Sequence, residues 1–519
     1  MDFLTKLLSA LNIKEEEYYS LIQDKNIDDI ESPQNFYNVN KAKERILKAI
    51  KNNEKIVIYG DYDCDGISAT SILVLAFKKL GIKVGYYIPS RYLDGYGINE
   101  TMVNKFYEKG YSLIITVDNG VSQFEALSLA KKLGIDVILT DHHQLNETIP
   151  ECYTIIHPSL KEEPFFQCGA YVAFMLATSL LGYKDDYLIT LAALATISDM
   201  MPVKGYNRDI IKIALNILKN KHFLPFDHLL NYAPIESEKN LSFGVAPKIN
   251  SLGRVLEDTK VNKAVTFLTS DSKFEIEQIG QLILDTLEKR KNLTDEAFNL
   301  VDVTKHLQDD VIVSAIDGIC EGVIGLVAQK VLMETNKPCV ILTKEKNSEI
   351  LKGSARSLEG FDIASAFNQM DDILLTHGGH ALAGGVSLKK ENLEEFSYRI
   401  NALCKGQTLK KKSRVIIPLE KEDFTFQNLE ILKSLSPFGE GFEEPYFSIK
   451  VDINEMSYLS EGKHIKGTIS PKAEYLAFNL GDTRFKQQFV TIVGKLQINE
   501  FRGLKKILLN VEDILQECE

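Results

Sequence analysis

Three carboxylates crowd into one short run, Gly60-Asp61-Tyr62-Asp63-Cys64-Asp65-Gly66, directly after the apolar stretch at 56–59. Like charges packed this closely repel unless a cation neutralises them, and hard divalent ions with oxygen ligands suit that task. An acidic loop with solvated side chains, or a helix N-cap, is the other reading of that run alone. The arrangement recurs: apolar 113–117 leads into Asp118-Asn119-Gly120, and 137–140 leads into Asp141-His142-His143. Three such endings, offering carboxylate and imidazole ligands, point to a cluster that clamps two cations. Ile197-Ser198-Asp199-Met200-Met201-Pro202 adds an acid at the end of an apolar helix, where a helix-terminating turn before proline is an equal reading.

For these groups to meet, their strands must lie side by side. From residue 55 the chain alternates short apolar runs with amphipathic stretches: strand 56–59, helix 68–80, strand 84–88, helix 99–109, strand 113–117, helix 123–133, strand 137–140. That alternation predicts βαβ units in a mostly parallel sheet covered by helices, with ligands outside the carboxyl ends of the strands. Residues 170–231 turn helical, and 271–301 place Ile276, Ile279, Ile283 and Leu287 at helical spacing over a charged face, predicting a long connecting helix. A second α/β unit comes next, with strand 311–316, helix 323–333, strand 340–342 and helix 393–404. After the basic run Lys410-Lys411-Lys412-Ser413-Arg414, β patterning at 415–419, 446–451, 489–496 and 506–511 predicts a small barrel. Residues 1–50 read as a helical leader packed on the domain after it, ending in an amphipathic stretch with Ala42, Ile46, Leu47 and Ile50.

Composition narrows the class. A chain of 519 residues exceeds one ordinary core, and 45% hydrophobic with 25% charged residues excludes disordered and fibrous classes. The net charge of −12 argues against a protein that coats nucleic acid everywhere, though it leaves room for a local basic channel. Seven scattered cysteines without a CxxC pair read as reduced thiols, hence a cytoplasmic protein. Met1-Asp2-Phe3-Leu4 lacks the basic and then apolar pattern of a secretory signal. The apolar run 170–181 is too short to span a bilayer, so no membrane is expected.

Taken together and in order, GDYDCDG, VDNG, TDHH and SDMMP resemble the motifs of the DHH phosphoesterase superfamily, and in detail its RecJ-type exonucleases. The segments Pro89-Ser90-Arg91-Tyr92-Leu93-Asp94-Gly95-Tyr96-Gly97, Asn250-Ser251-Leu252-Gly253-Arg254, Gly353-Ser354-Ala355-Arg356-Ser357 and the glycine- and histidine-containing stretch 378–385 are similar to that family too. The likeness covers about residues 40–450 and, more loosely, the C-terminal region. It implies two α/β lobes and an oligonucleotide-binding (OB) barrel: leader 1–50, DHH catalytic domain 51–268, connecting helix 269–305, DHH-associated substrate domain 306–408 and OB domain 409–519.

By the same resemblance, Asp63, Asp65, Asp118, His142 and Asp199 hold two divalent ions, Mn2+ or Mg2+, with Asp118 bridging. Asp61 and His143 complete the shell or contact the scissile phosphate. Such ions polarise the phosphoryl oxygen and lower the pKa of water, so no protein nucleophile is needed. Arg91, Ser354 and Arg356 form the implied 5′-phosphate pocket, Gly379 and His380 approach the nucleotide, and Arg254 meets the strand backbone. In the barrel, Lys410–Lys412, Arg414, Lys463, Lys466, Arg484 and Lys486 are candidate contacts, with Tyr446 or Phe447 for stacking; a solvated linker and core aromatics are the plain alternatives. One departure stands at 437–445, where Phe442-Glu443 replaces the family's usual Asn-Pro and leaves the turn geometry open.

The implied activity is release of 5′-mononucleotides from the 5′ end of single-stranded DNA, in recombination and repair. A monomer is expected, with a single-strand-binding protein and a helicase as partners. The rivals are a DHH-family phosphodiesterase acting on short RNA or cyclic dinucleotides, and a catalytically inactive replication scaffold.

Overall fold

A computed structural model describes residues 2–344, 348–410, 413–481, 485, 487–501 and 503–515, so the candidate contacts Lys411, Lys412, Arg484 and Lys486 lie outside the described residues. The first sheet is built from β1 (Lys55–Tyr59), β2 (Gly85–Tyr87), β3 (Tyr111–Val117), β4 (Asp136–Thr140) and β5 (Thr154–Ile156), with β-branched residues in every strand but β2. Its order is β2-β1-β3-β4-β5 and every pairing is parallel. Strands buried on both faces need near-continuous apolar runs, which is what β1, β3 and β4 carry. Val57 and Tyr59 turn to one face, packing with Val103, Phe106, Ile114, Leu127, Val137 and Leu139.

On the other face stand the largely buried helices Cys64–Lys79 and Gly169–Leu181, with the buried and mostly apolar helix Asp186–Ser198 packed on them. A helix that is hydrophobic all round belongs in a core. No helix among the described residues is long and apolar enough to cross a membrane. The helix expected from 68 begins instead at Cys64, because the Asp63 side chain caps it by accepting from the Gly66 amide at 3.0 Å. The edge strand β5 is too short to announce itself in the sequence.

The 27-residue helix Lys273–Asn299, capped by Ser272, buries Ile276, Ile279 and Ile283. Beyond it β6 (Ile312–Ala315), β7 (Cys339–Lys344), β8 (Ile350–Arg356), β9 (Leu374–His380) and β10 (Ala383–Lys389) form a mixed sheet ordered β6-β7-β8-β10-β9, parallel only between β6 and β7.

The chain divides into two compact units, Asn26–Lys412 and a second made of Met1–Lys25 with Ser413–Glu519. The latter holds a seven-stranded sheet of β11 (Ile416–Pro418), β12 (Tyr446–Asp452), β13 (Ser457–Leu459), β14 (His464–Ser470), β15 (Ala473–Ala477), β16 (Phe489–Phe501) and β17 (Leu504–Leu515), ordered β11-β12-β16-β17-β15-β14-β13. The leader expected over 1–50 is thereby split. Helix Phe3–Leu11 buries Phe3 and Leu7 in the core of this unit, with Phe3 stacked on Phe447 at 5.9 Å and Lys6 paired with Asp423 at 2.6 Å. Helix Val39–Lys51 stays with the first sheet, where Arg45 binds Glu54 and Asp136, each at 2.6 Å.

Phe447 is therefore a core residue, unavailable for stacking on a base. Tyr446 is half-buried, with the Arg414 guanidinium 4.7 Å from its ring centroid. At the Phe442 departure a tight turn forms: Gly439 and Phe442 exchange backbone hydrogen bonds of 3.0 and 3.1 Å, and the rings of Phe438 and Phe442 stack at 5.5 Å.

Candidate metal centre

The carboxyl ends of β1, β3 and β4 deliver the acidic groups to one place. Asp61 and Asp63 follow β1, Asp118 follows β3 with φ at +62°, and His142 and His143 follow β4. Asp199 arrives from the end of helix Asp186–Ser198. His142 Nε2 lies 3.1 Å from Asp118 Oδ1, 3.5 Å from Asp65 Oδ2 and 3.6 Å from Asp199 Oδ2. Ligand atoms fall within 4.8 Å of one another in three sets: Asp61, Asp63 and Asp118; Asp118, His142 and His143; Asp65, His142 and Asp199. Asp118 and His142 each belong to two sets, so the sets form one continuous cluster.

The electrostatics of this cluster ask for cations. Burial, together with the neighbouring carboxylates, pushes Asp61, Asp65 and Asp118 up and Asp199 to about 8. Burial also holds the His142 imidazole below its ordinary value, keeping a lone pair free for coordination. Asp61 Oδ1 and Asp118 Oδ1 are buried without a hydrogen-bond partner. Orphaned, mutually repelling carboxylate oxygens beside a neutral imidazole fit hard divalent ions such as Mn2+ or Mg2+.

Several supporting roles escaped sequence reasoning because they exist only in three dimensions. Asp65 is held at both oxygens by the amides of Gly169 and Ala170, each 2.7 Å away, at the start of helix Gly169–Leu181. Gly169 is required there, since a Cβ would stand 2.6 Å from the Asp118 Cβ. Asp141, the acid of the TDHH run, is not among the grouped ligands. It accepts from the Val121, His142 and His143 amides and from His143 Nδ1 at 2.7 Å. Burial opposes charge on His143, yet this bond lifts the imidazole to about 9. His157 accepts from the Ser159 amide at Nδ1, so its Nε2 carries the proton donated to the His143 carbonyl at 2.8 Å. Asn119 spans the ends of β1 and β3, donating to the carbonyls of Tyr59, Gly60 and Val117. Asn250 accepts from the Cys64 amide at 2.7 Å and donates to Ser198 Oγ at 3.2 Å.

The cationic candidates gather nearby. Arg91 lies over the Tyr62 ring at 4.2 Å with its Nε buried and unpartnered. Arg254 donates to the Gly322 carbonyl at 3.3 Å; burial, and then Arg91, Arg290, and Arg356, bring its guanidinium down to about 10. On β8 the side chains of Lys352, Ser354 and Arg356 share one half-buried face by the two-residue period, while Leu351, Gly353 and Ala355 face the core. Arg356 Nη1 donates to Ser354 Oγ at 3.3 Å, beside Gly325 in the first turn of helix Ile324–Thr335. Gly379 and His380 sit exposed at the end of the edge strand β9, and no described contact joins them to the acidic cluster.

Three family models match the chain: the DHH family, N-terminal domain, at residues 55–197, the DHHA1 domain at 308–406 and the RecJ OB domain at 417–513. The single-stranded-DNA-specific exonuclease RecJ of Bacillus subtilis (strain 168) is 34% identical over 512 residues, covering 93% of this chain and 64% of that protein. The protein so named in Haemophilus influenzae is 29% identical, with 95% and 93% covered. The chain thus spans less than two thirds of the first relative's length and most of the second's. A crystal structure of RecJ in complex with Mn2+ from Thermus thermophilus superposes with a TM-score of 0.83 at 26% identity, over 93% of this chain and 72% of that one.

Proposed function

The chain belongs to the RecJ family of DHH phosphoesterases, and from that premise we propose that it is a metal-dependent exonuclease that releases 5′-mononucleotides from the 5′ end of single-stranded DNA. The observation that carries this reading is the cluster at the ends of β1, β3 and β4, with its unpartnered, mutually repelling carboxylates. Asp61, Asp63, Asp65, Asp118, His142 and Asp199 would hold the ions, Asp118 belonging to two of the ligand groups. Two Mn2+ or Mg2+ ions held there would supply Lewis acidity for activating water and offsetting charge on the leaving oxygen.

The protein's own groups bind and orient the strand. Arg91 and Arg356 engage the terminal phosphate through forked guanidinium donors, Ser354 adds a hydroxyl to the same anion, and Arg254 meets the strand backbone. His143, protonated through its bond to Asp141, contributes positive charge beside the scissile phosphate. Gly379 and His380 receive the nucleotide backbone, while the OB domain holds single strand through Arg414, Lys463 and Lys466. Recombination and repair, after a helicase has opened the duplex and a single-strand-binding protein has covered it, are the setting that the family resemblance supports.

The test is product analysis on internally labelled DNA with 5′-phosphate or 3′-phosphate ends, single or double stranded, in Mn2+ with and without chelator. Metal-dependent mononucleotides from the 5′ end of the single strand alone are expected. Hydrolysis confined to two-to-five-nucleotide RNA or cyclic dinucleotides would move the chain to another DHH activity. Mn2+ binding by calorimetry should vanish in Asp118→Ala; a wild-type chain that binds none would be a scaffold.

A further inference from the structure

Two loops reach the acidic cluster from outside the strand ends. One runs through Phe166, Gln167 and Cys168 into the Gly169 and Ala170 amides that hold Asp65. The other leaves Asp199 through Met200, whose φ is +53°, and Met201 to Pro202. The Asn207 side chain reaches both. The Asn207 amide nitrogen donates to the Phe166 carbonyl at 2.6 Å and to the Pro202 carbonyl at 3.1 Å. Asn207 is fully buried in the first turn of helix Gly205–Asn220.

We propose that Asn207 is a positioning residue of the metal centre, setting the distance between the Asp65 and Asp199 ligands by tying their two loops together. This role presupposes that the acidic cluster is a metal site. Phe166 lies one short step before Gly169, and Pro202 one short step after Asp199, so little slack separates the clamp from either ligand. Gly169 also packs directly against Asp118, with no room for a Cβ between them, so a drift of the first loop disturbs a third ligand.

The Asn207 carbonyl oxygen has no hydrogen-bond partner. A buried orphan acceptor is costly, and an apolar side chain would avoid it. What the amide supplies instead is two N–H donors on one nitrogen, which serine, threonine or an aliphatic side chain cannot offer to two carbonyls at once. Groups that orient metal ligands from outside the coordination shell typically change metal affinity about 10- to 100-fold when removed.

The experiment is Mn2+ titration calorimetry on the full chain in three variants, with thermal unfolding in chelator recorded alongside. Asn207→Ala deletes the clamp, and Asn207→Asp keeps its volume while replacing the donors with acceptors. Asn401→Ala is the control: Asn401 makes a comparable clamp, accepting from the Asp310 and Val311 amides and donating to the Val311 and Ser397 carbonyls in the second lobe. The expected result is Mn2+ affinity weakened about 10-fold or more in whichever Asn207 variant folds, with Asn401→Ala binding as wild type does. Wild-type affinity in either folded Asn207 variant, or an equal loss in Asn401→Ala, overturns the clamp. No Mn2+ binding by the wild-type chain would instead remove the metal-centre reading beneath it.

Discussion

At the scale of single residues, the centre is defined as much by what is small or already satisfied as by its ligands. Gly169→Ala places a methyl group against Asp118, and overpacking of this kind costs about 1–3 kcal/mol. The expected outcome is a lower denaturation midpoint together with Mn2+ affinity reduced by about 10-fold or more, read by calorimetry on the folded variant. Arg356 makes a different prediction. Losing a charged hydrogen bond of about 1.5–3 kcal/mol should raise KM for 5′-phosphorylated single strands about 10- to 100-fold and leave 5′-hydroxyl substrates unchanged. Steady-state kinetics on the two substrates checks it; equal effects on both would remove Arg356 from the phosphate pocket. Asp61, Asp63, Asp118 and the His142-His143 pair were legible in the sequence because acids and imidazoles directly after apolar runs have few structural uses. Asn207, His157 and Gly169 were not, because a buried amide, a neutral imidazole and a glycine look ordinary until their partners are known.

At the scale of elements, the parallel sheet was legible from alternating apolar and amphipathic stretches, whereas the three-residue β5 and the division of the leader were not. Short strands carry too little periodicity, and the destination of an amphipathic helix depends on which apolar face is free to receive it. Helix Val39–Lys51 is fastened to the sheet by Arg45, whose buried guanidinium binds Glu54 and Asp136. Arg45→Ala should cost about 1.5–3 kcal/mol in urea denaturation at neutral pH. Burial tends to raise the Glu54 carboxyl, but its bonds to Arg45, Asn52 and Ser112 hold it below the ordinary range. Its contribution is then present above the unfolded-state pKa and is lost as pH falls through the lower folded value. The gap between wild type and variant should narrow below about pH 4, and a gap constant down to pH 3 would contradict the assignment. On strand β8 register decides which side chains stay accessible: a one-residue slip would turn Ser354 and Arg356 into the core, where even a Cβ on Gly353 meets Leu342 at 2.6 Å.

At the scale of the whole molecule, the metal-type ligands all come from one unit, Asn26–Lys412, and the OB sheet belongs to the other. Phe3, Leu7, Ile13 and Tyr18 are buried in that second unit's core, where each apolar side chain stabilises by about 1.5–3 kcal/mol. A chain beginning at residue 26 should show faster amide exchange in β16 and β17 and a lower unfolding temperature for the C-terminal unit, while the transition of the unit 26–412 is unchanged. Unaltered exchange in those strands would mean that the N-terminal helices contribute nothing to them. The same packing has a consequence for synthesis. The helices Phe3–Leu11 and Glu15–Ile22 leave the ribosome early, yet the sheet that covers them is made roughly 400 residues later. At about 5–20 residues per second that is a wait of about 20–80 s. Through that interval the nascent chain carries an uncovered apolar face on these two helices, a client for any chaperone stationed at the exit tunnel.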